Sequence, residues 1–225
     1  MQPLFTLHRD FLDSTVLVLR KSMFNREVDA RLVGLIGSVQ LLKAFRSAGA
    51  APPHGASEKE RLRIELIGFL RKCLTQQAEV REELYRSLPD VLRANPTLHE
   101  AAFGLLAPQL ARYFDAQPNP DRMWRCLSES NTRAGAPLLV NKCVERVGEA
   151  VVLHEPLPQL LFCIVQCLDI HRKKHASVAP EPGAAATQLF KDMSALAEQI
   201  LKSELEDFEL DKSSDYSDSV VVRVV

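Results

Sequence analysis

The sequence predicts an all-α protein made of antiparallel helices, in an α-solenoid or helical-bundle architecture. Two observations predict it. Apolar residues at helical spacing recur in about seven separate segments. Aromatic residues are scarce, at 6%, and Leu dominates an apolar fraction of 46%, a composition suited to helices packed on helices. No sequence repeat of fixed period accompanies the helices.

Taken in order, the first helix is expected over 7–24 and ends in "LVLRKSMF", where Arg20 and Lys21 close an apolar run. Cations in a last helical turn offset the negative end of the backbone dipole, by ~0.3–1 kcal/mol. In the second helix Val28, Leu32, Leu35, Ile36, Val39 and Leu42 form one stripe, which leaves Glu27, Asp29, Arg31 and Lys43 for the surface. Residues 47–57, "SAGAAPPHGAS", break the pattern, so the main linker is placed at 48–57. Ser57 and Glu60 have capping-box spacing and announce a third helix with Leu62, Leu66, Phe69, Leu70 and Leu74 on its buried face.

A fourth helix carries Val80, Leu84, Leu88 and Leu92, and Pro89 is expected to kink or divide it. Asn95-Pro96 suits the N-cap and first turn of a fifth helix that runs through Leu106 and Leu110 to Phe114. Residues 115–135, with Trp124, read as a loop, and 138–153 fits neither period. Two more helices follow. One covers about 156–173 with Leu157, Leu160, Leu161, Ile164 and Leu168, the other about 187–206 with Phe190, Met193, Leu196, Ala197, Ile200 and Leu201. "ASVAPEPGAA" between them reads as a flexible connection.

Bulk properties narrow the function. A chain of 225 residues can bury a core without metals or disulfides. Net charge is −1, so no global field draws the chain to nucleic acid or to an acidic membrane. Charge is uneven: 1–47 holds seven Lys/Arg against four Asp/Glu, whereas 202–218 holds seven acids against two lysines. The five cysteines form an odd set with no secreted-domain spacing, which points to reduced thiols inside a cell. Apolar runs fall short of the ~20 residues that span a bilayer, so no membrane partner is expected. With a helix starting almost at once and no targeting pattern after Met1, the chain reads as a piece of something longer.

Chemistry is sparse. There is no Gly-rich phosphate loop, nucleophile elbow or HExxH pair, and the paired carboxylates sit on polar helix faces, so no catalytic residue, metal or cofactor is assigned. Cys163, Cys167 and His171 fall at i, i+4, i+8 on one helix. Ligands on three successive turns do not readily surround one ion, and cysteine is a common small core residue, so the core role is preferred. Arg71-Lys72 and "HRKK" (171–174) could touch phosphate, although helix-end charge accounts for each. Spacing alone does not single out Lys21 from the other lysines.

Four ordered blocks change that: "VLRKSMFNREVDAR" (18–31), "LRKCLTQQAEVREELYRSLPDVLRANPTL" (70–98), "EPLPQLLFCIVQCL" (155–168) and "KSELEDFELDKSSDYS" (202–217). Together they resemble the Fanconi anaemia group I family. The resemblance implies a nuclear, non-enzymatic α-solenoid scaffold of DNA interstrand crosslink repair, which pairs with its paralogous Fanconi partner to clamp double-stranded DNA. It implies one ubiquitin, attached by a conjugating enzyme and a RING-type ligase to the lysine of the Leu-Arg-Lys block. Here that lysine is Lys21, with Arg20 as a presenting or partner contact; Arg71 and Lys72 are candidate DNA or partner contacts on their charge alone. Residues 1–47 would end one solenoid segment, 58–212 would form the next helical domain, and 213–225 would be a disordered or atypical tail.

The chain also departs from the family. Its linker lacks the family's Ser-Gln cluster, and Thr75-Gln76 stands at a Ser-Gln position farther on, a candidate kinase site expected to be helical and shielded. "DRMWRCLSESNTRAG" is longer than the family pattern, the Glu run before the last helix is missing, and "SVVVRVV" abandons the pattern. The alternative reading is therefore a shortened helical interaction fragment without conjugation or clamp activity. Duplex affinity of this piece alone is expected to be low.

Overall fold

The computed structural model describes residues 9–44, 56–114, 138–139, 142–147, 150–175 and 183–202. Its elements are α1 (Arg9–Met23), α2 (Val28–Ala44), α3 (Ala56–Cys73), α4 (Ala78–Ala94), a 3-10 turn (Pro96–Leu98), α5 (His99–Leu110), β1 (Val144–Val147), β2 (Ala150–Leu153), α6 (Leu157–His175) and α7 (Ala184–Lys202). The all-α expectation holds, with one addition: 144–153 is an antiparallel hairpin pairing Val144 with Leu153 and Val147 with Ala150. The strand sequences VERV and AVVL do not alternate polar with apolar residues, so the sequence offers no period of two.

Two compact units divide the chain: Met1–Ala102 with Gln166–Pro180, and Phe103–Val165 with Glu181–Val225. In the first, α2 packs against α1, α3 and α4. The stripes expected of α3 and α4 are buried as read: Leu62, Leu66, Phe69, Leu70 and Leu74 on one, Val80, Leu84, Leu88 and Leu92 on the other. Pro89 does not divide α4, which runs unbroken from Ala78 to Ala94 with Pro89 itself buried. Proline cannot donate to the carbonyl one turn back. The cost is offset by the buried residues on either side of it, Tyr85, Leu88, Val91 and Leu92 among them.

Three local expectations are corrected. α3 already contains Ala56 and Ser57, so Ser57 does not stand ahead of the first turn. Asn95-Pro96 opens a 3-10 turn rather than the α-helix, and α5 begins at His99. The Asn95 side chain accepts from Thr97 Oγ1 at 2.8 Å and caps no helix amide. On α2 the buried face is Arg31, Gly34, Leu35, Ser38, Val39, Leu41 and Leu42, while Ile36 is 44% exposed. α2 is apolar on nearly every side, so spacing cannot select its inward face. Arg31, expected on the surface, is buried.

In the second unit the end of α5 continues through a turn to Tyr113 and Phe114, and Phe114 bridges Leu138. Glu155 is fully buried just ahead of α6. Its carboxyl accepts from Gln109 Nε2 at 2.9 Å and from Tyr113 Oη at 3.1 Å, and its N–H donates to the Cys143 carbonyl at 3.1 Å. α7 buries Ala186, Leu189 and Leu196 but exposes Phe190, Ile200 and Leu201. The loop with Trp124, most of the 48–57 linker and the 213–225 tail lie outside the described residues.

Candidate functional site

Lys21 occupies the last turn of α1, and its direction is decided from behind. Val16, Leu19 and Met23 face inward and are buried, with Met23 fully so. Two small residues of α2 receive them. A Cβ on Gly34 would lie 3.0 Å from the Met23 nitrogen and 3.1 Å from the Leu19 carbonyl oxygen, and one on Gly37 would collide with Leu19 Cδ2. At Gly34 the neighbours are backbone atoms with little room to give, whereas at Gly37 the neighbour is the end of the Leu19 side chain, which can turn aside. With 16, 19 and 23 turned in, helical geometry turns 17, 18, 20, 21 and 24 out. Lys21 is accordingly exposed beside Leu17, Val18 and Phe24, which are 48%, 60% and 64% exposed.

The helix end is closed by short-range hydrogen bonds. The Phe24 N–H donates to the Lys21 carbonyl at 3.3 Å, and the Asn25 N–H to that of Ser22 at 3.1 Å. Asn25 Oδ1 then accepts the Glu27 N–H at 2.9 Å, which carries the chain into α2. Side chains bind the same end to α3. Arg20 is hydrogen-bonded and ion-paired to Glu65, and Lys72 Nζ stands 6.0 Å from the centre of the Phe24 ring. An exposed cation over an aromatic face contributes ~0.5–1 kcal/mol.

The structure thus brings Lys21, Arg20 and Lys72 to one side of the α1–α2–α3 cluster, with Arg71 exposed in the last turn of α3. Thr75 corrects an expectation. It lies in the α3–α4 turn, not in a helix, and is exposed, with Oγ1 donating to the Lys72 carbonyl at 2.8 Å. Sequence reasoning missed Arg31. Its Nη2 donates to the Arg26 carbonyl at 2.6 Å and its Nη1 to Gln76 Oε1 at 2.6 Å and to Gln77 Oε1. The one available signal was the paired glutamines at a helix junction, where extended carboxamides can reach a neighbouring helix.

Other candidates resolve differently. Cys163 and Cys167 are buried in the core, and His171 turns to His99, with the two Nδ1 atoms 3.3 Å apart and the rings edge to face. Among the described residues no three His, Cys, Asp or Glu side chains gather as a metal set. From the "HRKK" stretch Arg172 and Lys173 pair with Asp169 at 3.1 and 2.6 Å. The hydrogen bond from Lys173 holds the Asp169 carboxyl below the usual range. Lys173 also lines a cleft of about 280 Å³ with Arg93, Gln166, Asp169 and Ile170, and Arg93 is itself paired with Asp90 at 2.5 Å. Burial pushes the Cys73 thiol up to about 12 against one backbone hydrogen bond, so it stays protonated. Among the described residues no helix is long and apolar enough to cross a membrane.

Comparison with known proteins gives a consistent result. Residues 38–225 match the family model described as FANCI helical domain 2. The chain is 33% identical over 250 residues to the Fanconi anemia group I protein of Gallus gallus. It is 32% identical over 249 residues to the Fanconi anemia group I protein homolog of Mus musculus. In both cases all of this chain is covered, and it spans 18% of the relative's length.

Proposed function

The chain belongs to the FANCI helical domain 2 family, and from that membership we propose that it is the acceptor-bearing part of a group I scaffold of the Fanconi DNA-repair pathway. In this reading it works without catalysis of its own, in the nucleus, as a platform on which one ubiquitin is attached at Lys21. The modified scaffold then pairs with its paralogous Fanconi partner around double-stranded DNA.

The observation that carries the reading is the presentation of Lys21: exposed in a terminal helical turn whose opposite face is locked into the Gly34–Gly37 seam. The matched family span begins at residue 38. Assignment of Lys21 therefore leans on the 18–31 block and on the relatives that align along the whole chain.

The chemistry asks little of Lys21 itself. Its amine nitrogen attacks the thioester carbonyl carried by the conjugating enzyme, the C–N isopeptide bond forms, the C–S bond breaks, and the cysteine thiol leaves as the amine loses its proton. A RING-type ligase supplies the encounter. Once attached, ubiquitin has a high effective concentration at whatever surface lies beside Lys21, so a low-affinity contact is enough to hold a closed state. Arg71 and Lys72, exposed at the end of α3, offer positive charge to an acidic partner or to duplex phosphates, and Arg20 can do so only by exchanging its Glu65 partner. Thr75, exposed and followed by Gln76, is a candidate kinase site beside it. In domain terms 1–47 serves as the end of one solenoid segment and 58–212 as the following helical domain.

A second reading, a helical interaction fragment without conjugation, draws on the exposed apolar residues Phe162, Phe190 and Leu201, which are 65%, 61% and 85% exposed. In vitro ubiquitination with the pathway's conjugating enzyme and ligase separates the two. We expect single modification of this chain and at least tenfold less on Lys21→Arg. Equal modification of both removes Lys21 as acceptor. No modification of either, with the full-length protein modified alongside, favours the fragment. A gel-shift titration over salt should find low duplex affinity with a shallow salt slope.

A further inference from the structure

The α1–α2 turn that follows Lys21 is tied, through Arg31, to the turn between α3 and α4. Arg31 lies three residues into α2 and is 8% exposed. Its guanidinium reaches in two directions. Nη2 grips the Arg26 carbonyl at 2.6 Å, in the turn that follows the acceptor helix, and Nη1 grips Gln76 Oε1 at 2.6 Å together with Gln77 Oε1, in the α3–α4 turn. Those glutamines stand 45 and 46 positions away in sequence. All three acceptors are neutral oxygens, so the tie depends on the flat, forked geometry of the guanidinium more than on ion pairing.

Two further contacts connect the same neighbours. Arg20 pairs with Glu65 of α3, and Lys72 of α3 covers Phe24. Both join exposed side chains and are screened by solvent, which leaves the buried Arg31 bonds as the strongest of the three ties.

We propose that Arg31 is a positioning residue for Lys21: through one guanidinium the α3–α4 turn sets the order of the α1–α2 turn, and with it the presentation of the acceptor amine. Whatever displaces Gln76 and Gln77 loosens the acceptor end. This inference rests on the proposed conjugation at Lys21 for its functional meaning, but the coupling between the two turns is measurable without it.

The test uses the full chain with Arg31→Lys, with the double change Gln76→Ala and Gln77→Ala, and with all three together. Hydrogen exchange is read at the Phe24 and Asn25 amides, which bond the Lys21 and Ser22 carbonyls. We expect the glutamine double variant to speed exchange at both amides roughly tenfold, Arg31→Lys to do the same, and the triple variant to add little, since all three changes break one tie. Under the conjugating system the same variants should lower the saturating rate of ubiquitin attachment several-fold with little change in the concentration at half-saturation, the pattern of lost positioning. The glutamines are turn residues, Gln76 half-buried and Gln77 exposed, and neither belongs to the apolar core, so the double variant serves where Arg31→Lys disturbs folding. Unchanged exchange at Phe24 and Asn25 in the glutamine double variant overturns the proposal. Should Lys21→Arg prove as good a substrate as the parent, the conjugation reading falls while the exchange result still decides the coupling.

Discussion

In each of the two compact units a side chain of a charged residue type, Arg31 in one and Glu155 in the other, is buried among hydrogen bonds to neutral partners, with opposite consequences. In the first, the Arg31 guanidinium is met by two glutamines, of which Gln76 is half-buried and Gln77 exposed. In the second, the Glu155 carboxyl is met by Gln109 and Tyr113, which are 2% and 9% exposed. When the Arg31 tie opens, its partners return to water at small cost. When the Glu155 contacts are lost, its partners stay inside the protein. A buried donor stranded in this way costs ~1–3 kcal/mol, far more than a net hydrogen bond contributes. The first arrangement can therefore act as a releasable tie, and the second is a permanent pin.

The largest expected effect tests the pin. Glu155→Ala should lower unfolding free energy by ~3 kcal/mol, because it removes the acceptor of the buried Gln109 amide and of the Tyr113 hydroxyl at once and leaves a void. Glu155→Gln, which keeps an acceptor, should cost less than half as much. Urea unfolding measures both, and equal losses would mean that packing, not hydrogen bonding, holds this site. Next comes the tie: Arg31→Met keeps the stem and removes the fork, and should cost ~1–2 kcal/mol in the same measurement. A loss as large as that of Glu155→Ala would erase the distinction.

The smallest effect sets the surface scale. Burial pushes the Asp90 carboxyl up, but hydrogen bonds and charge from Lys43 and Arg93 outweigh it and hold the group below its ordinary value. A depressed folded value means that stability from Asp90 is present above the ordinary carboxylate range and is lost as pH falls through the folded value. Its side chain is 53% exposed, so screening reduces the contribution to a few tenths of a kcal/mol. The stability difference between the parent and Asp90→Asn should shrink toward pH 2 and in high salt.

The same contrast explains what could be read in advance. α3 and α4 were legible because a polar face sets off their leucines, so Leu62, Leu66, Leu84 and Leu88 announce one inward side. α2 has no such contrast. Its spacing pointed to Ile36, whereas close approach to α1 turns Gly34 and Gly37 inward and takes Arg31 with them. Buried polar groups were illegible in both units, since Arg31 and Glu155 have the sequence character of surface residues and meet glutamines more than forty positions away. The hairpin was missed because its strands, VERV and AVVL, do not alternate polar with apolar residues. Lys21 was named by family resemblance, and Thr75 was misplaced by one turn because α3 stops at Cys73.

The glycine seam also bears on the order in which the chain folds. α1 and α2 are separated by the four residues 24–27, and the partners that meet in the seam, Leu19 and Met23 with Gly34 and Gly37, are near neighbours in sequence. Contacts of such short loop length cost little closure entropy and form early. During synthesis the hairpin of α1 and α2 emerges from the ribosome before Gln76 and Gln77 exist to steady it. The newborn chain therefore has α1 docked on α2 well before the Arg31 tie to the α3–α4 turn can close.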